Sequence, residues 1–351
     1  MLPLMAEQER MPARLLLDLP VADDSSQVLL RSKLRAVSRR MGFGDTVRER
    51  MELVCNEMAT NQLKYANGGQ IQLWEMSNGH PSLDLFALDY GEGIADLDVA
   101  HEDGYTTSGT MGKGLGAIAR LSHESGIYSV RRGEVHDAPW HGTASWARFY
   151  DNKEFAPHST EVGVHLRAYH DDIHNGDAIT YRSESGRLRW IHLDGLGHGV
   201  EAASVVEGVG ALIDEIDEMD ELLETIGRRL QGTRGAVAIL GEVDEHGMAM
   251  LSGVGDMAAS VISDAERRSA TFAPGVLGHA YRKSELWQHQ LADGACVVTA
   301  SDGLRRSWSE KSFPGLWSLH PQLIALLLGN VVSRTSDDKS VFVARMAKRM
   351  S

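Results

Sequence analysis

The chain has 351 residues with a net charge of −14, and 42% of the residues are hydrophobic against 24% charged, a globular composition long enough for two separate cores. The acidity excludes the nucleic-acid backbone as a main partner and favours basic or neutral protein partners. Cys55 and Cys296 are the only cysteines, no apolar run nears about 18 residues, and no signal-peptide pattern is present; a disulfide framework, a zinc cluster, membrane partnership and export are therefore unexpected, and a cytoplasmic location is expected.

In chain order, residues 1–19 read as a lead-in and a first strand. Residues 27–41 and 46–66 read as helices. In the second, Val47, Met51, Val54, Cys55, Met58 and Tyr65 form an apolar stripe at helical spacing, and Glu57, Asn61 and Lys64 share another face. Two strands follow in GQIQLWEM and SLDLFALDYG, then a helix over 115–122, then strands in GIYSVRRG and HGTASWARFY. This alternation predicts an α+β sandwich. The polar stretch DNKEFAPHSTE, residues 151–161, marks a linker, giving domains over 12–150 and 160–351. The second half predicts strands with two helical stretches among them, and ITYRSESGRLRWIHL reads as a hairpin turning at Ser-Gly. The acidic run LIDEIDEMDELLE spaces its apolar residues as a helix does, which predicts a solvated helix face.

Two sets of residues carry chemistry. At a strand end, Asp89 suits a hydrogen bond from an adenine amine, and Gly91 and Gly93 allow the backbone to approach the base. Gly112, Gly114 and Gly116 form a loop running into a helix whose amides suit phosphates, with Lys113 adding charge. Asn61 offers a magnesium ligand, and Glu57 a base to polarise an attacking hydroxyl. Downstream, Asp177 (NGDAITY), Asp194 (HLDGLGHG), Asp302 (VTASDGL) and Asp337 (RTSDDKS) each sit at a strand edge or turn. A lone Asp beside Gly is commonly a turn former. Four in this order suit magnesium or manganese, with a water between two ions attacking phosphorus in line. His198 reads equally as a substrate-facing acid and as a structural hydrogen bonder. Asp256 and Asp338 are weaker candidates, Asp338 as an outer support for its neighbour.

The motifs NEMATNQLKYA, DYGEGIAD, GYTTSGTMGKGLGAIARL and HGTASW resemble those of the GHKL-type ATPases, and among them the RsbT-like anti-sigma-factor serine kinases. The resemblance covers roughly residues 12–150. It implies an α/β sandwich of helices on a mixed sheet, with Glu57 as catalytic base, Asn61 on magnesium, Asp89 on adenine, and the glycine boxes and Thr143 around ATP. From about residue 162 to 347, GDAIT, DGLGHGVEAA, GTRGAVAIL, LSGVGDMAAS, ASDGL and SDDKSVFVAR resemble the SpoIIE-like branch of the PPM-type phosphatases, in its compact RsbX-like form. That implies an α-β-β-α sandwich in which Asp177, Asp194 and the Gly195 carbonyl hold one metal. Asp194, Asp302 and Asp337 hold the second, and the shared Asp194 is catalytic. The family often carries Asn where Asp256 stands.

Together the resemblances imply a stress-signalling switch acting on serine or threonine of STAS-domain proteins, adding phosphate from MgATP and removing it with magnesium or manganese. Two other readings stay open: an anti-sigma-like sequestering module, and a phosphatase whose ATP domain only senses nucleotide. Homodimerisation is also left open.

Overall fold

The computed structural model describes residues 11–77, 81–97, 114–151, 160–305, 308–334 and 336–346. The chain separates into two units, one built on Ala13–Ala156 with Lys311–Leu323, the other chiefly on Pro157–Glu310 and Ile324–Ser351.

The first unit runs β1 (Ala13–Val21), α1 (Asp24–Arg40), α2 (Asp45–Tyr65), β2 (Gly69–Met76), β3 (Ser82–Leu88), α3 (Gly114–Leu121), β4 (Glu124–Val130) and β5 (Gly142–Tyr150). Its sheet has the order β1-β2-β3-β5-β4. Every described pairing is antiparallel, where a mixed sheet was expected. The start of α1 is set by a reciprocal cap: the Asp23 carboxylate accepts from the Ser26 amide at 2.8 Å, and the Ser26 hydroxyl accepts from the Asp23 amide at 3.0 Å. The helices cover one face of the sheet. Met51, Val54, Cys55 and Met58 of α2 pack there with Leu30 and Leu34 of α1 and with Ile71, Leu73, Leu83 and Leu85 of the strands.

The predicted stripe ends sooner than its spacing suggested, since Tyr65 is 54% exposed. The buried place at that end of α2 belongs to Gln62, whose amide donates to the carbonyls of Gln70 at 3.0 Å and Leu88 at 3.1 Å. A polar residue thus ties the helix end to the start of β2 and the end of β3. On the opposite face of the sheet, the fully buried Asp84 is held by a two-pronged Arg148 guanidinium, with both contacts at 2.8 Å, and by the Trp146 indole N–H at 2.8 Å. In the same unit His320 stacks on Trp146 with ring centres 4.5 Å apart.

The second unit runs β6 (Thr160–Arg167), β7 (Asp177–Glu184), β8 (Arg187–Gly195), α4 (Val200–Val206), α5 (Leu212–Glu215), α6 (Met219–Arg229), β9 (Ala236–Val243), β10 (Met248–Val254), β11 (Ala258–Ile262), β12 (Arg267–Ala270), β13 (Trp287–Gln290), β14 (Cys296–Ala300), α7 (Pro321–Val331) and β15 (Lys339–Met346). The strands form two antiparallel sheets, β13-β10-β9-β8-β7 and β12-β11-β14-β15-β6. Trp190 of the first stacks on Phe342 of the second, with ring centres 5.0 Å apart. Leu222, Leu223 and Ile226 of α6, with Val205 and Val206 of α4, pack on Ile191, Leu193 and Leu240. On the far side, Gly329 of α7 lies against the His165 ring of β6. The layers are therefore helix, sheet, sheet, helix, as the second resemblance implied.

Four described helices stand where two helical stretches were expected. The acidic run is not one solvated helix: it breaks between α5 and α6. Its acids are exposed, as expected of a solvated face, and three of them also pair, Asp214 with Arg182 at 2.6 Å, Asp217 with Arg187 at 2.6 Å and Asp220 with Lys283 at 2.7 Å. Helical spacing of apolar residues does not show that the intervening acids have partners elsewhere in the chain.

Candidate nucleotide and metal sites

Asp89 follows β3, is 8% exposed, and is built into the end of the sheet. Its Oδ1 accepts from the Gly91 amide at 2.9 Å and the Thr143 amide at 3.0 Å. Among the described residues its Oδ2 has no partner, so one acceptor remains for a ligand amine. Burial pushes the carboxyl above its ordinary range against the pull of the two amides. Gly91 abuts the end of α2: a Cβ there would lie 2.8 Å from the Ala66 methyl. Gly93 has φ +76° and leaves no room for a side chain, since a Cβ would lie 2.5 Å from the Val130 carbonyl oxygen.

Glu57 and Asn61 lie one turn apart on α2 and are half-buried. Neither has a hydrogen-bond or ionic partner among the described residues. A carboxylate and an amide left half-buried and unpaired on the helix that ends against the Asp89 turn suit a ligand rather than a structural bond. With the spare oxygen of Asp89, this donor set fits MgATP. Gly114 and Gly116 fall in the first turn of α3 rather than in a loop before it, so the predicted phosphate loop reaches the helix earlier than expected. Gly112 and Lys113 lie outside the described residues.

Two residues around Asp89, Trp140 and Ser129, went unread in the sequence. The Trp140 indole donates to the Asp89 carbonyl at 2.9 Å. The Ser129 hydroxyl accepts from the Ile94 amide at 2.8 Å, donates to the Gly142 carbonyl at 2.8 Å and lies 3.1 Å from the Thr143 hydroxyl, linking both ends of the site. Gly142 has φ +134°, and a Cβ there would collide with the Asp89 carbonyl. Gly142→Ala is accordingly expected to cost about 2–4 kcal/mol and to abolish nucleotide binding. Thermal melts with and without ATP measure both effects, and an unchanged melting shift on adding ATP would refute the assignment.

The second site is set by strand register. In β7 and β8, joined by the two-residue turn Ser185-Gly186 with φ of 50° and 81°, Asp177 stands directly opposite Asp194. Asp194 feels the charges of Asp302, Asp337 and Asp256. Burial first, then these like charges, push its carboxyl up to about 7. Asp177 is buried and raised in the same direction, by burial and then by Asp194. The Gly195 amide donates to the Gly176 carbonyl at 2.9 Å, closing the strand ends around the pair.

Asp337 is placed by its neighbour. The buried Asp338 carboxylate accepts from the amides of Tyr169 and Gly176, both at 2.7 Å, and its own amide donates to Asp337 Oδ1 at 2.9 Å. Asp338 is thereby bonded to backbone, with its charge felt by Asp177, while the charge of Asp337 reaches Asp194. His198 is exposed and rests on the Tyr169 ring, 4.9 Å between centres, with its charge felt by Asp337. Among the described residues no three His, Cys, Asp or Glu side chains are gathered closely enough to hold an ion as they stand. The carboxylates form a repelling cluster, and a hard divalent cation is the charge that would draw it together. The donor set fits magnesium or manganese on that ground.

No family model matches the chain. It belongs to the family of the serine/threonine-protein kinase RsbT of Bacillus subtilis (strain 168), with 36% identity over 104 residues, 29% of this chain and 78% of that protein, the likeness lying in its N-terminal part. Similar solved structures include one from the bacterial stressosome, a modular system adapted to control secondary messenger signalling. It shares 29% identity over 53% of this chain and 99% of its own, with a TM-score of 0.48. Another is RsbX in complex with magnesium, with 18% identity over 55% of this chain and 98% of its own, and a TM-score of 0.49. No helix among the described residues is long and apolar enough to cross a membrane.

Proposed function

We propose that the chain is a two-way signalling switch. Its first unit transfers phosphate from MgATP to serine or threonine of a STAS-domain partner, and its second removes phosphate from such a protein. The observation that carries the reading is the presence, in one chain, of an RsbT-family kinase unit and of four aspartates brought to neighbouring strand ends, two of them face to face. The kinase unit supplies the direction of phosphate addition; the acidic cluster has no evident use in that reaction.

In the first unit, Asp89 orients the base through its free oxygen, Asn61 offers its amide oxygen to magnesium, and Glu57 takes the proton of the attacking hydroxyl. In the second, Asp177, Asp194, the Gly195 carbonyl, Asp302 and Asp337 would hold two magnesium or manganese ions. When bound, these ions would supply charge stabilisation for in-line attack of water on phosphorus. Asp338 holds the Asp337 loop and the Tyr169 turn together beside that cluster.

A STAS-domain protein incubated with this chain and labelled ATP is expected to gain label on serine or threonine. It should lose that label when ATP is removed and manganese supplied. A phosphatase rate that responds to ATP with no label transferred would favour a nucleotide sensor instead.

A further inference from the structure

His192 lies two residues before Asp194 on β8, is fully buried, and was not singled out by its sequence context. Its ring joins the two sheets of the second unit. Nδ1 lies 2.8 Å from the Thr299 hydroxyl of β14, and Nε2 lies 2.7 Å from the Ser340 hydroxyl of β15. Ser340 in turn donates to Asp177 Oδ2 at 2.6 Å.

A serine hydroxyl has one proton. Because Ser340 gives its proton to Asp177, it can only accept from the imidazole, which therefore carries its hydrogen on Nε2. Nδ1 is left as the acceptor for the Thr299 hydroxyl. The bonds run in one direction: Thr299 to His192, His192 to Ser340, Ser340 to Asp177. The Ser340 hydroxyl is held at both ends, so it cannot rotate away from the carboxylate. Asp177 Oδ2 is committed to Ser340, and the Ser301 side chain is a second hydrogen-bond partner of the same carboxylate, which faces Asp194 across the strand pair.

We propose that His192 is a positioning residue for Asp177, fixing the orientation of its carboxylate toward a divalent cation through Ser340. The inference rests on the reading of Asp177 as a metal ligand. A buried histidine serving only to satisfy the core would make the same bonds, but its loss would lower stability without changing the affinity of the folded protein for metal. Outer partners of metal ligands typically govern affinity by about 10–100-fold.

The test is manganese titration of the metal-free full chain by calorimetry, alongside thermal melts. His192→Leu and Ser340→Ala are expected to weaken manganese binding about tenfold or more. His192→Gln, whose amide nitrogen can reach the place of Nε2 and donate to Ser340, is expected to stay within about threefold of the unaltered chain. If His192→Leu does not fold, the other two variants decide. Unaltered affinity in Ser340→Ala or His192→Leu overturns the proposal, as does a Gln variant as weak as Leu. Failure of the unaltered chain to bind manganese would instead remove Asp177 as a ligand, and the proposal with it.

Discussion

Asp194→Asn will abolish phosphate removal and, without metal, make the protein more stable above neutral pH. The two effects have one cause. Asp194 stands opposite Asp177 and within reach of the charges of Asp302, Asp337 and Asp256, and its carboxyl is raised to about 7. An acid whose pKa is higher folded than unfolded binds its proton more tightly in the fold. Its contribution is complete below the unfolded value near 4 and is lost as pH rises through about 7. In the metal-free protein the ionised group therefore costs roughly 2–4 kcal/mol at pH 8. Asparagine removes that cost along with the charge that a cation needs.

Melting curves across pH 5–8 should thus fall with pH in the metal-free unaltered chain, and saturating manganese should flatten the fall. The variant should show neither that fall to the same extent nor a gain from manganese. Phosphatase turnover should drop by about 10³-fold or more, since several kcal/mol of charge stabilisation go with the ligand. A variant that retains a manganese-dependent melting shift would place the metal elsewhere.

Glu57→Ala is expected to lower phosphate transfer to the partner by about 10²–10⁴-fold while leaving ATP and partner binding within about threefold. The carboxylate is half-buried on α2 and has no partner among the described residues, so its removal breaks no recorded bond and little stability should be lost. The contrast with Asn61→Ala is informative: loss of a magnesium ligand should weaken transfer and metal-dependent ATP binding together. Partner phosphorylation by single-turnover assay, with ATP affinity by calorimetry, separates the two. Transfer at the unaltered rate in Glu57→Ala would remove it as the base.

Much of this arrangement was legible because local chemistry and register agree. A two-residue turn at Ser185-Gly186 places residue 177 opposite residue 194, so the aspartate pair follows from counting along ITYRSESGRLRWIHL. The strand in GQIQLWEM matches β2 residue for residue. Polar residues that serve the core were harder to read. Gln62 ends a helical stripe by satisfying the carbonyls of Gln70 and Leu88 on two strands, and a period-based reading gave its place to Tyr65. Asp338 was read as an outer support for Asp337, but its partners, the amides of Tyr169 and Gly176, come from a distant turn that the sequence did not point to. At the break in the acidic run, Arg189 of β8 donates to the carbonyls of Ile213, Ile216 and Asp217, which spacing within the run does not reveal.

The most direct test follows the intact mass of a STAS-domain protein encoded beside this chain, first with MgATP and then with ATP removed and manganese supplied. The account predicts a gain of one phosphate and then its loss, with Asn61→Ala blocking only the gain and Asp194→Asn only the loss. No gain with the unaltered chain, alongside removal of phosphate from partner phosphorylated by other means, would contradict the two-way switch.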